Sequence, residues 1–435
     1  MAENTSTAVP EGDIADPRAC HGVLLLPAIP LPTSPEQVRE AYKDILTQTL
    51  KQLEQEFQTQ SSSPILRLDI DLLFDGGSEV ARTPLFPSLL GLFAELYTLV
   101  CICASQCSLD LDFPRGVDVR IYAIDAPHAE PRQLEDNNAS HSQVSQNSAT
   151  TTYGPLSTIE AFKSSRRTYL RTFVPGQQAL RESTIARGWD KYLTGSSVQY
   201  INSSQQINAQ TLYNTVSADS LGKKKLRLHT KVAVGGTFDH LHIGHKLLLT
   251  ATIFIAQPGP ESREITVGIT GDELLVNKKH ASVLESWDTR QEKVAAFVES
   301  ILVFHSDIPS IRTIEHIDKP GPNGKVVKIT YDPAVPGTGK VTINYVQISD
   351  PFGPTITDES ITALVISAET RAGGKAVNDK RTDKGWAPLE VFEVDVLDPA
   401  AIEGGKAAEA TNFATKISST EIRRRLAAPT DRQLA

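Results

Sequence analysis

The chain has 435 residues, enough for two or three domains with buried cores. With 40% apolar and 22% charged residues it reads as globular, and its formal net charge of −9 argues against a general nucleic-acid or anionic-membrane surface. Any anionic substrate must therefore be met by a local basic cluster, and no apolar run is expected to reach the roughly 18 to 20 residues of a membrane span.

Residues 1–20 set Glu3, Glu11, Asp13 and Asp16 against Arg18, which suits neither a secretory signal nor a transit peptide. A disordered tail and a cytoplasmic setting are the expectation. Gly22-Val23-Leu24-Leu25-Leu26 reads as a buried strand. Ser34-Pro35-Glu36 then opens a helix, with a capping hydroxyl, proline in the first position and an early acid. That helix should run to about Gln58 with Val38, Tyr42, Ile45, Leu50, Leu53 and Phe57 as its apolar stripe. In residues 65–74, Leu66, Leu68, Ile70 and Leu72 alternate with Arg67, Asp69 and Asp71, which predicts a half-exposed strand with the acids toward solvent. A second, buried helix is expected over 87–107 and a strand over 117–124. Cys101, Cys103 and Cys107 lack a C-x-x-C pair, so they read as core thiols in a reducing compartment rather than as zinc ligands. These elements make residues 21–200 a separate α/β domain without a catalytic motif. Its polar stretch at 133–152 is expected to be a flexible loop, Arg166, Arg167 and Arg171 a solvated basic face, and residues 201–228 a linker.

Strands and helices alternate over 229–430, which predicts a Rossmann-like parallel sheet. Val232-Ala233-Val234 leads into Gly235-Gly236-Thr237-Phe238-Asp239-His240-Leu241-His242-Ile243-Gly244-His245 and then Leu247-Leu248-Leu249. That order reads as strand, glycine turn and helix, with His242 and His245 on one face of the helix start. Glycines let the backbone approach a phosphate, and the helix N-terminus offers N–H groups and a positive dipole end. The run is therefore a candidate nucleotide site, although it is neither the G-x-G-x-x-G nor the His-Glu-x-x-His motif. Further along, residues 265–269 read as a strand, 272–276 as a helix, and Asp288 with Gln291 as the cap of another helix. Val294, Phe297, Val298, Ile301 and Leu302 form that helix's core face, 319–343 an extended hairpin or surface loop, and 363–367 and 389–394 two more strands. Near the end, Ser418 and Glu421 form a capping box whose helix start also offers Ser419, Thr420 and Arg423, groups suited to phosphates.

The glycine–histidine run resembles the signature of the HIGH-type nucleotidyltransferases, and Ile417-Ser418-Ser419-Thr420 with Arg423 resembles their I-S-S-T-x-x-R element. Asp350-Pro351-Phe352-Gly353-Pro354 and the stretch from Ser367 to Arg381 resemble eukaryotic and archaeal phosphopantetheine adenylyltransferases, most of all the fungal ones with a long N-terminal extension. Ala368 departs from the acidic residue usual there, while Glu369 keeps the pattern. The resemblance covers about 231–427. It implies AMP transfer from ATP to 4′-phosphopantetheine, with His242, His245 and Lys279 catalytic. It further implies Gly235, Gly236, Thr237, Phe238, Asp239, Gly244, Ser418, Ser419, Thr420 and Arg423 on ATP, and Lys278, Arg371 and Arg381 on the acceptor. Mg²⁺ is expected to accompany ATP, with no metal site of the protein's own. The resemblance also leaves the N-terminal domain as a candidate surface for other coenzyme A biosynthesis enzymes. No G-x-x-x-x-G-K-[ST] loop occurs, so a fused kinase is not expected. The rival readings are a cytidylyl- or nicotinamide-nucleotide-type transferase and a non-catalytic nucleotide-binding scaffold.

Overall fold

The computed structural model describes residues 19–59, 66–74, 80–111, 116–125, 153–165, 167–176, 197–202, 227–318, 321, 323–335, 337–394 and 418–428. Two α/β units follow one another. The first comprises β1 (Ala19–Pro27), α1 (Pro35–Thr59), β2 (Leu66–Phe74), α2 (Arg82–Gln106), β3 (Val117–Asp125), β4 (Leu156–Thr158), α3 (Ile159–Ser164), β5 (Thr168–Pro175) and β6 (Ser197–Ile201). Its strands lie in the order β4-β3-β2-β1-β5-β6, all parallel. Ser34 accepts the Gln37 N–H at 3.3 Å to start α1, and Val38, Tyr42, Ile45, Leu50 and Leu53 are buried; the side chain of Phe57 lies outside the described residues.

The second unit comprises β7 (Lys231–Gly236), α4 (Ile243–Ile255), β8 (Arg263–Thr270), α5 (Trp287–Leu302), α6 (Ile308–Ile311), β9 (Arg312–Ile317), β10 (Val326–Tyr331), β11 (Val341–Ile348), β12 (Ala363–Ser367), α7 (Arg371–Asp383), β13 (Glu390–Val394) and α8 (Ser419–Ala427). Its sheet runs β13-β12-β7-β8-β11-β10-β9, parallel from β13 to β11, with β10 antiparallel to both its neighbours. The chain leaves β7 toward β8 and later returns on the other side of β7 through β12. The carboxyl end of β7 is therefore at a switch point, where open α/β sheets form their ligand crevice.

Several local expectations are corrected. The acids of β2 are not solvent-facing: every residue of this central strand is buried, and Asp69 and Asp71 are fully inaccessible. Alternation had signalled two different faces, and the polar one is covered by side chains of the same unit, Arg67, Arg167 and Tyr169. Arg67 grips Asp69 through Nε at 2.8 Å and Nη2 at 2.9 Å, while Tyr169 Oη donates to it at 3.3 Å. Arg167, expected on a solvated face, is buried there too, 3.4 Å from the same carboxylate. Burial, and then the neighbouring Asp69, push the Asp71 carboxyl well above the usual range. Helix α2 is 25 residues long and apolar enough, by length and composition, to cross a membrane, contrary to the expectation of no such run; two-thirds of its apolar window is buried within the protein. The 272–276 helix is only a 3-10 turn over Asp272–Leu274. α5 is capped by Ser286, not Asp288, because burying Trp287, whose indole N–H donates to Ile269 O at 3.2 Å, starts the helix two residues early. Cys101, Cys103 and Cys107 are buried thiols, none of them in a disulfide.

The two units meet along the last turn of α5, whose carbonyls have no helical partner of their own. Ser300 O accepts from Tyr122 Oη at 3.3 Å and from the Arg167 guanidinium, and Leu302 O accepts from Gly154 N at 2.7 Å. A cation is well placed at this negative helix end. Gly154 is required by the close approach, because a Cβ there would stand 2.2 Å from Ile301 O.

Candidate active site

His242 is the N-cap of α4, and no side chain caps that helix start. The imidazoles of His242 and His245 stack with centroids 3.8 Å apart and planes 23° from parallel. Gly244 makes room for this: a Cβ there would lie 3.2 Å from the His242 ring. On its other side His245 meets the ring of buried Phe238 at 5.3 Å. The Nδ1 atoms of both histidines are buried without a hydrogen-bond partner among the described residues. Burial lowers the pKa of both. His242 falls well below the ordinary imidazole value, helped by the proximity of His245, Lys246 and His240, and His245 is brought down to about 3. Two neutral rings at a helix N-terminus can donate to an anion, and the anion would in turn favour their protonation.

The turn between β7 and α4 is strained and then locked. Phe238 and His240 hold φ values of 53° and 46°, on either side of Asp239. Such left-handed conformations cost about 1–3 kcal/mol each and persist only where the surroundings impose them. Asp239 is fully buried; it accepts the Glu285 N–H at 3.0 Å and forms an ion pair with Arg423. His240 N donates to Glu285 Oε2 at 2.9 Å, and its ring meets Val283 O at 2.8 Å. From below, Arg290 donates to Thr237 O at 2.6 Å, Thr270 O at 2.8 Å, Glu285 O at 3.0 Å and Asp272 Oδ1 at 2.5 Å. Arg290 was not singled out from sequence, yet a signal existed. It stands four residues before Val294 on the apolar stripe of α5, where an arginine must be buried and satisfied.

The C-terminal helix closes onto this turn. Ser418 caps α8 by accepting the Glu421 N–H at 3.3 Å, and Ser419 Oγ donates to Asp239 O at 2.8 Å across 180 residues of sequence. Arg423 also donates to Lys279 O at 2.9 Å and to Thr420 Oγ1 at 3.2 Å. The structure thus brings together the glycine turn, the histidine pair, Lys279 and the Ser418–Arg423 segment. Gly235, Lys278 and Lys279 are exposed. Arg371 lies at the carboxyl end of β12, where Glu393 holds it in a two-pronged ion pair that lowers the Glu393 pKa. Arg381 is not at the site. It is buried in α7, and its guanidinium donates to the carbonyls of Thr355, Asp358, Glu359, Ile361 and Ala387. Those carbonyls need all its donors, so it cannot also hold an acceptor phosphate.

A family model for a domain of unknown function (DUF8446) matches residues 13–186. An uncharacterized Schizosaccharomyces pombe protein is 38% identical over 195 residues, 45% of this chain and 48% of that protein. The phosphopantetheine adenylyltransferase of Saccharomyces cerevisiae is 34% identical over 220 residues, 51% of this chain and 56% of that protein. The phosphopantetheine adenylyltransferase of Methanosarcina mazei is 30% identical over 167 residues, 38% of this chain and 80% of that protein. The chain thus spans about half the length of the two fungal relatives and most of the archaeal one.

Proposed function

We propose that this chain, which belongs to the phosphopantetheine adenylyltransferase family, transfers AMP from ATP to 4′-phosphopantetheine, giving dephospho-CoA and pyrophosphate. The observation that carries the reading is the joining of two motifs, the Ser419 hydroxyl of one bonded to the Asp239 carbonyl of the other, beside a stacked and unpartnered histidine pair. In the reaction an acceptor phosphate oxygen attacks the α-phosphorus of ATP in line, and the bond to the pyrophosphate oxygen breaks. No protein nucleophile is needed, so positioning and charge neutralisation carry the catalysis.

His242, His245 and the uncapped start of α4 would donate to the phosphate oxygens whose charge grows in the transition state. Gly235, Gly236 and Thr237 would lie beneath the nucleotide, where bare backbone allows close approach. Lys278 and Lys279 would receive the acceptor phosphate. Ser418 and Thr420 supply exposed hydroxyls at the α8 start for the leaving pyrophosphate, whereas Asp239, Ser419 and Arg423 hold the site's shape. Mg²⁺ would accompany the ATP phosphates as part of the substrate.

The test is pyrophosphate release with ATP, Mg²⁺ and 4′-phosphopantetheine, with pantetheine as the control lacking the phosphate. Release that requires the phosphorylated acceptor supports the reading. Release only when CTP replaces ATP moves the chain to another nucleotide class, and binding of ATP without release with either acceptor favours the scaffold.

A further inference from the structure

Resting on the transferase reading above, we propose that the N-terminal unit is a positioning element of the active site, with Asp118 on β3 fixing, through Lys246, the helix turn that carries the histidine pair. Lys246 follows His245 directly, and its backbone N–H makes a first-turn bond of α4, to His242 O at 3.0 Å. Its side chain reaches the first unit and is only 4% exposed. The ammonium meets Asp118 Oδ1 at 2.7 Å, while Asp118 Oδ2 accepts from Arg120 Nη2 at 2.7 Å. Arg120 in turn stacks over the Phe297 ring of α5 at 5.5 Å. One residue of the first unit therefore holds the helix bearing His242 and His245, and its neighbour rests on the helix bearing Arg290.

The chemistry argues for orientation rather than for bulk stability. A buried lysine–carboxylate pair is often no more stabilising than two apolar side chains of the same volume. What it supplies is direction, since a 2.7 Å contact from Lys246 to a carboxylate that Arg120 itself holds at 2.7 Å admits few positions of the first turn of α4. The histidines need this, because their Nδ1 atoms have no described partner to orient them. A second tether, Arg425 Nη1 to Asp110 Oδ1 at 3.2 Å, joins α8 to the same unit, and Asp110 O accepts from Val117 N at the head of β3. Both of its side chains are part-exposed, so it contributes little by comparison.

The experiment uses the full-length chain. In Asp118→Asn the Lys246 ammonium is left without its carboxylate, and this variant can fail to fold. The double variant Asp118→Asn with Lys246→Met removes the tether and both of its charges, so the buried ammonium is not stranded, and the part-exposed Arg120 keeps the amide oxygen introduced at position 118 as an acceptor in place of the carboxylate. It should melt within a few degrees of wild type, yet show kcat at saturating substrates lowered at least about tenfold, as expected when catalytic groups shift by a fraction of an ångström. KM for ATP should change less than about threefold, because the phosphate-binding backbone stays in place. Ring resonances of His242 and His245, assigned with single His→Gln variants, should move in the double variant. A folded double variant with wild-type kcat and unmoved ring resonances would overturn the proposal. If wild type itself releases no pyrophosphate, the transferase reading fails separately. The ring resonances, and calorimetric binding of a non-hydrolysable ATP analogue, then still decide whether the tether positions the pair.

Discussion

Replacing Arg423 by Met tests whether the C-terminal helix is clamped onto the active-site turn by one buried ion pair. In α8 only Ile422 and Arg423 are buried, so the helix has few other reasons to stay. Full burial of an isoleucine is worth about 2 kcal/mol, and the Ser419–Asp239 hydrogen bond about 1 kcal/mol net. Removing one member of a buried pair costs about 3–5 kcal/mol, because the remaining charge stays desolvated. Here that charge is Asp239, left with the Glu285 N–H as its hydrogen-bond donor. The cost matches or exceeds what otherwise holds α8 down, so undocking of the helix, which lets water reach Asp239, should relieve it before the whole chain unfolds. Hydrogen exchange of the 419–427 amides should accelerate about 10²–10³-fold, while the main melting transition moves little. Adding Asp239→Asn removes the stranded charge and should recover part of the protection. Unchanged exchange in Arg423→Met, or a double variant that exchanges faster than the single one, would refute the clamp.

His245→Ala should lower turnover at least about a hundredfold in the pyrophosphate assay, the usual loss for one preorganised donor to a developing charge. Stability should fall on acidification from pH 6.5 toward about 3: the unfolded chain protonates His245 at its ordinary value, the folded chain only near 3. The unfolded state binds the extra proton throughout that window, so denaturation midpoints should drop with pH there, and His245→Gln should flatten the slope. Arg381→Met should lower the melting temperature by several degrees and leave KM for the acceptor unchanged, whereas Lys279→Ala should raise that KM without altering melting. The reverse pattern would return Arg381 to the acceptor site.

Residues that act through near neighbours were legible, and residues that act across the fold were not. The strand, turn and helix around Gly235–His245 could be read because they are contiguous in sequence. The cap at Ser34 and the stripe of α5 were legible for the same reason, since both are periodicities within one element. Asp69 and Asp71 were misread because alternation separates two faces without saying what covers the second. The answer lay about a hundred residues away, in Arg167 and Tyr169. Arg381 was misread in the opposite sense. Its place among glycines and basic residues suggested a ligand, but the carbonyls of 355–361 that it satisfies belong to a turn whose shape no spacing reveals.

The same distinction bears on how the site is built. The groups assigned to the chemistry, His242, His245, Lys278 and Lys279, come from one stretch of about forty residues and have few partners of their own. The groups that hold them are dispersed: Arg290 beneath the turn, Arg423 on the last described helix, and Asp118 in the first unit, 128 residues before the lysine it grips. A catalytic donor must keep an open valence for its substrate, so it cannot also be anchored by its own hydrogen bonds. Its position has to come from the backbone on either side, and here that backbone is strained at Phe238 and His240. Arg290, Arg423 and Asp118 each make two or more hydrogen bonds where the histidine Nδ1 atoms make none among the described residues, the asymmetry expected if the first group holds the site and the second is kept for a ligand.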